Sequence, residues 1–96
     1  MTQEELLRQE REHILQVARK YGAYDVRVFG SVARGDARPD SDIDFLVKLE
    51  AGRSMLDLAR LMRELQSLLG QNIDIVTEAG LRPRIRSEVL KEDRQL

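Results

Sequence analysis

Hydrophobic positions along this 96-residue chain change period several times, and each change marks an element. Leu7, Ile14, Val17 and Ala18 recur near helical spacing, with Tyr21 following, so residues 3–20 predict one amphipathic helix. Thr2 is its N-cap, Glu4 and Glu5 suit the dipole of its first turn, and Gly22 ends it. Tyr24, Val26 and Val28 then alternate with Asp25 and Arg27, the period of two that a strand needs. Tyr21 and Tyr24 are expected to pack at this helix–strand junction.

A short helical turn, SVARG, begins at Gly30-Ser31, and residues 35–39 form a loop by composition. Residues 42–49 predict a second strand with Ile43, Phe45 and Val47 on one face. Ser54 caps a second helix whose apolar stripe is Met55, Leu58, Leu61, Met62, Leu65, Leu68 and Leu69, and Gly70 closes it. Residues 72–77 form a third strand, with Ile73 and Ile75 on one face and Asp74 and Val76 on the other. Pro83 suits the first turn of a last helix carrying Ile85, Val89 and Leu90. The order α-β-β-α-β-α defines an α/β (α+β) chain: a small mixed sheet with helices packed on one face.

No repeat, low-complexity tract or linker interrupts this order, so residues 1–96 are read as a single domain. The absence of cysteine excludes disulfides, thiolate metal sites and a cysteine nucleophile. The charged N-terminus lacks a signal-peptide core, and no apolar run approaches the roughly 20 residues of a membrane span. A soluble, cytoplasmic protein is expected. A formal net charge of −1 gives no basic footprint, so direct nucleic-acid binding is not expected. The cations are mostly arginine, 13 against 3 lysines, a bias that suits bidentate contacts to phosphate and carboxylate.

The chemistry concentrates in FGSVARGDARPDSDIDFLV, residues 29–47. Side chains at i and i+2 of a strand point to one side, so Asp42 and Asp44 converge while Ile43 turns to the core. Two carboxylates so close repel unless a cation lies between them. Magnesium is the expected ion, because it takes oxygen ligands and commonly binds through one or two carboxylates plus substrate phosphates. Asp74, also set between isoleucines on a strand, is the third candidate carboxylate. Such a centre suits in-line displacement at phosphorus, with Asp74 ligating a metal and accepting the proton of an incoming hydroxyl. Gly30 lets the backbone approach a phosphate, Ser31 adds a hydroxyl, and Arg34 or Arg38 can pair with phosphate oxygens.

The combination of Gly30, Ser31, Ala33, Arg34, Gly35, Ser41, Asp42, Asp44 and Asp74 resembles the minimal nucleotidyltransferases. These form the MNT branch of the DNA polymerase β-like superfamily, and the likeness extends over nearly the whole chain. The resemblance implies that Asp42 and Asp44 hold magnesium, with two ions in the site, and that Asp74 is the third catalytic carboxylate. It also implies that Gly30 and Ser31 hold the triphosphate of ATP. Members of the family pair with helical HEPN proteins in toxin–antitoxin systems, where the MNT protein is the antitoxin and some transfer AMP to a toxin tyrosine. The expected activity is therefore adenylyl transfer to a partner protein in a hetero-oligomer. The alternatives are a non-catalytic antitoxin that masks its toxin, and a small-molecule nucleotidyltransferase.

The other polar residues carry plainer expectations. His13 belongs on a solvated helix face, and Arg82, Arg84 and Arg86 form either a patch for an acidic partner or a charged helix start. Apolar residues of 55–69 left over from the core would serve a protein interface.

Overall fold

The computed structural model describes residues 1–38, 40–81 and 83–96, and the side chains of all of these except 84, 85 and 92. The expectations for Pro39, Arg82, Arg84 and Ile85 fall outside this set.

The predicted N-terminal helix is two segments, α1 (Gln3–Gln9) and α2 (Arg11–Lys20), parted at Glu10. The Glu10 amide still bonds the Leu6 carbonyl and the Ile14 amide still bonds that of Glu10. The hydrogen-bond ladder therefore bends rather than stops. Thr2 caps α1, its hydroxyl accepting from the Glu5 amide at 3.1 Å. The long helix α4 (Met55–Leu69) has a full capping box between Ser54 and Asp57, and Gly70 ends it in the left-handed conformation. The last helix, α5, spans Pro83–Glu92.

Four strands form one mixed sheet in the order β3-β2-β1-β4. β1 (Ala23–Phe29) lies antiparallel to β2 (Ile43–Leu49), and β2 lies parallel to β3 (Ile73–Thr77). The fourth strand, β4 (Arg94–Gln95), was not expected from the sequence and pairs antiparallel with the outer edge of β1. Between β1 and β2 a single turn of helix, α3 (Ser31–Arg34), follows Gly30.

The main core lies between the sheet and helices α2 and α4. Ile43, Phe45 and Val47 meet Ile14, Ala18, Leu58, Leu61 and Leu65 there, and all are buried. Leu46, on the opposite side of β2, is buried as well, as is Val89 of α5; both lie outside the main cluster. Two expected core positions in α4 are not core: Met55 is 74% exposed and Leu68 36%. The packed stripe runs through Leu58, Leu61, Leu65 and Leu69, and Met55 occupies the helix's first turn ahead of it.

Tyr24 also departs from the expected pattern. Asp25 takes φ +50°, and the register with β2 shifts between Tyr24 and Arg27. A bulge of this kind puts the alternation out of phase. Ala23 and Val26 are both buried, and Tyr24 is left 50% exposed. Tyr21 does pack at the junction, its hydroxyl donating to Glu64 Oε1 of α4 at 2.7 Å. The bulge also turns Asp25 toward Arg27, which bonds Asp25 at 2.9 Å and Asp93 at 3.0 Å.

Candidate active site

The site is built where three strands present matched positions. Phe29 of β1 stands opposite Asp44 of β2, and Asp44 stands beside Asp74 of β3. Asp42 immediately precedes β2 and keeps the i, i+2 relation to Asp44. The strand-end geometry therefore brings Asp42, Asp44 and Asp74 to one corner of the sheet. Their exposures differ: Asp44 is half-buried, whereas Asp42 and Asp74 are exposed, Asp74 on the edge strand. The expectation of acids sunk in apolar strands holds for Asp44 alone.

Burial pushes the Asp44 carboxyl up from its usual 3.8 to about 6, reinforced by the charges of Asp74 and Asp42 and opposed by Arg34. A carboxylate crowded by two others is the electrostatic state that a divalent cation relieves. Among the described residues no three acids close into a ready-made metal cage. The donor set fits an open site instead, in which hard oxygen ligands from the chain leave positions for phosphate oxygens.

Gly30 is the other half of the site. It sits at φ +71°, ψ −146°, a conformation that favours glycine strongly, and a Cβ there would run into the Asp44 carboxylate. The turn can thus lie directly against the acid. Ser31, partly exposed, opens α3, whose first amide groups have no partners within the helix. Arg34, at the end of this turn, is exposed, pairs with Asp36 at 3.4 Å and acts electrostatically on Asp44. Arg38 does not join the group. Its backbone closes a turn with Ser41, and it lines a cavity beside α1 with Thr2, Gln3 and Leu69. Arg86 is likewise elsewhere, bonded to Glu78 at 2.8 Å. His13 is solvent-exposed beside Glu10.

Two residues near the site were not singled out from the sequence. Gln3 is buried, and its amide donates to the Ser41 carbonyl at 2.6 Å, one residue before Asp42. Arg94 donates to the Val32 carbonyl of α3 at 2.7 Å and to Glu4 at 2.9 Å. A polar residue four positions before Leu7, on the buried side of a helix, was the available signal for Gln3.

A glycine turn laid against a half-buried aspartate, with two more carboxylates at the same sheet corner, is an arrangement suited to chemistry on phosphates. The model of the nucleotidyltransferase domain family matches residues 10–96, and the chain belongs to that family. The protein adenylyltransferase MntA of Thermococcus cleftensis is 38% identical over 83% of this chain and 81% of its own. A solved structure assigned as a minimal nucleotidyltransferase superposes with a TM-score of 0.87 at 55% identity, covering 96% of this chain and 94% of that one. A second solved structure, of an MNT antitoxin with a tri-AMPylated HEPN toxin from Shewanella oneidensis, shares the fold. Its TM-score is 0.70 at 19% identity, over 92% of this chain and 69% of that one. The protein is accordingly a nucleotidyltransferase of the minimal type. No helix among the described residues is long and apolar enough to cross a membrane.

Proposed function

We propose that this chain transfers AMP from ATP to a hydroxyl group of a partner protein, and that the partner is a helical HEPN-type toxin for which it is the antitoxin. The observation that carries the reading is the closure of Gly30 onto Asp44 at the corner shared with Asp42 and Asp74. Its placement in a two-protein system is supported by the complex of the MNT antitoxin with its AMPylated HEPN toxin and by the relative named MntA.

In this reading Gly30 and Ser31 receive the triphosphate, and Arg34 offsets its charge. Asp42, Asp44 and Asp74 would hold two magnesium ions, which when bound neutralise charge on the phosphates and lower the barrier to attack at the α-phosphorus. Asp44, with its carboxyl pushed up to about 6, is ionised at neutral pH and is the acid best placed to be relieved by a cation. Asp74, exposed on the edge strand, is open to an incoming side chain and takes the proton of the attacking hydroxyl. Pyrophosphate leaves as the acceptor oxygen bonds to phosphorus.

The test is to incubate the protein with ATP, magnesium and the HEPN-type protein proposed as its partner, and to follow that protein's intact mass. The expected result is an AMP adduct on the toxin that disappears with Asp42→Asn/Asp44→Asn. An unmodified toxin, or equal modification by that double variant, would overturn the proposal.

A further inference from the structure

The two halves of the site are connected through α1, a segment that lies ahead of the family-matched residues 10–96. On one side, the buried Gln3 side chain donates to the Ser41 carbonyl at 2.6 Å and to Gln71 Oε1 at 3.3 Å. Ser41 leads directly into Asp42, and Gln71 lies two residues before β3, which carries Asp74. Among the described residues, the turn before Asp42 is also closed by local bonds between Arg38 and Ser41. On the other side, Glu4 pairs with Arg94, and the same guanidinium nitrogen bonds the Val32 carbonyl inside α3. α3 is four residues long, too short to be stable by its own hydrogen bonds. Arg94 is itself held by β4, whose pairing sets it opposite Val28.

We infer that Gln3 and Arg94 are positioning residues: with α1 as their common anchor, Gln3 sets the carboxylates and Arg94 sets the nucleotide turn. The inference rests on the proposed assignment of Gly30-Ser31 to the triphosphate and of the aspartates to catalysis. A buried amide donating to a backbone carbonyl fixes the height of that carbonyl, and with it the direction from which Asp42 leaves the loop. Arg94 fixes the middle of the turn that begins against Asp44 at Gly30. Loosening the first disturbs the geometry of the reacting groups. Loosening the second disturbs the seat of the nucleotide.

The experiment measures kcat and KM for magnesium–ATP in toxin modification, for four variants of the full chain. Arg94→Ala is expected to raise KM about three- to tenfold, the worth of a typical hydrogen bond, with kcat little changed. Arg94→Lys, which keeps a cationic donor, recovers most of that loss. Gln3→Met, of similar shape, is expected to lower kcat about tenfold or more through misplaced carboxylates, with KM nearly constant. Asp42→Asn serves as the control for the catalytic assignment. A wild-type KM in Arg94→Ala, no recovery in Arg94→Lys, or a wild-type kcat in Gln3→Met overturns the inference. If Asp42→Asn remains active, the catalytic assignment has failed, and the anchoring itself is read by hydrogen exchange without nucleotide. Gln3→Met then accelerates exchange at residues 40–43 while leaving Phe45 and Val47 protected; unchanged exchange overturns it.

Discussion

Replacing Asp44 by Asn should stabilise the protein, and by an amount that depends on pH. The folded chain holds the Asp44 carboxyl at about 6, above its usual 3.8. Between those values the folded state binds the proton more tightly than the unfolded state. Stability therefore falls as pH rises through this window, and the penalty is complete above about pH 6. At about 1.36 kcal/mol per unit the shift corresponds to about 3 kcal/mol. Asp44 is partly open to water, and solvent screening reduces this to about 1 kcal/mol. Asn has nearly the same shape and never ionises, so it escapes the penalty. The chain has two tyrosines and no tryptophan, so urea unfolding is best followed by far-ultraviolet circular dichroism. Asp44→Asn should exceed wild type by about 1 kcal/mol near pH 8, or about 4–8 °C in Tm for a domain of this size. The gain should shrink below pH 6, vanish near pH 3.5, and weaken in high salt. A variant less stable than wild type at pH 8, or a gain independent of pH, would refute the electrostatic account of this corner.

Two further substitutions test the structure around the site. Gly30→Ala places a Cβ against the Asp44 carboxylate in a backbone region hostile to alanine. It should cost about 2 kcal/mol or more in urea unfolding and abolish the proposed AMP transfer; a fully active, equally stable variant would contradict the close approach. Arg27→Met takes the guanidinium from Asp93, 12% exposed, and from Asp25, 20% exposed, which keeps Lys48 at 3.4 Å. A loss of about 1–2 kcal/mol is expected in the same assay, and no loss would show that the pairs carry no stability.

Much of the fold follows from local signals that agree with the final packing. Ser54, Gly70 and the leucines between them specify α4 because cap, period and buried face coincide. Asp42, Asp44 and Asp74 stood out as candidates because acids among β-branched and aromatic neighbours contradict a plain strand. What could not be read depends on partners distant in sequence. β4 is two polar residues, without alternation, and exists because Arg94 and Gln95 find the free edge of β1. The bulge at Asp25 reverses the expected side of Tyr24, since a left-handed aspartate looks like any other in a strand pattern. The roles of Gln3 and Arg94 depend on contacts across 38 and 62 residues, which no local period encodes. The differing exposure of Asp44 and Asp74 follows from β2 lying inside the sheet and β3 at its edge, a matter of strand order, while Asp42 is exposed ahead of β2.

The corner formed by Gly30, Ser31, Asp42, Asp44 and Asp74 is proposed to move a nucleotidyl group, not a phosphoryl group. Parallel reactions with magnesium, the toxin partner and ATP labelled at either the α- or the γ-phosphate decide this directly. The α-label should become attached to the toxin while the γ-label leaves in pyrophosphate, and Asp42→Asn/Asp44→Asn should remove the α-signal. Attachment of the γ-label, or α-labelling that survives the double substitution, would contradict it.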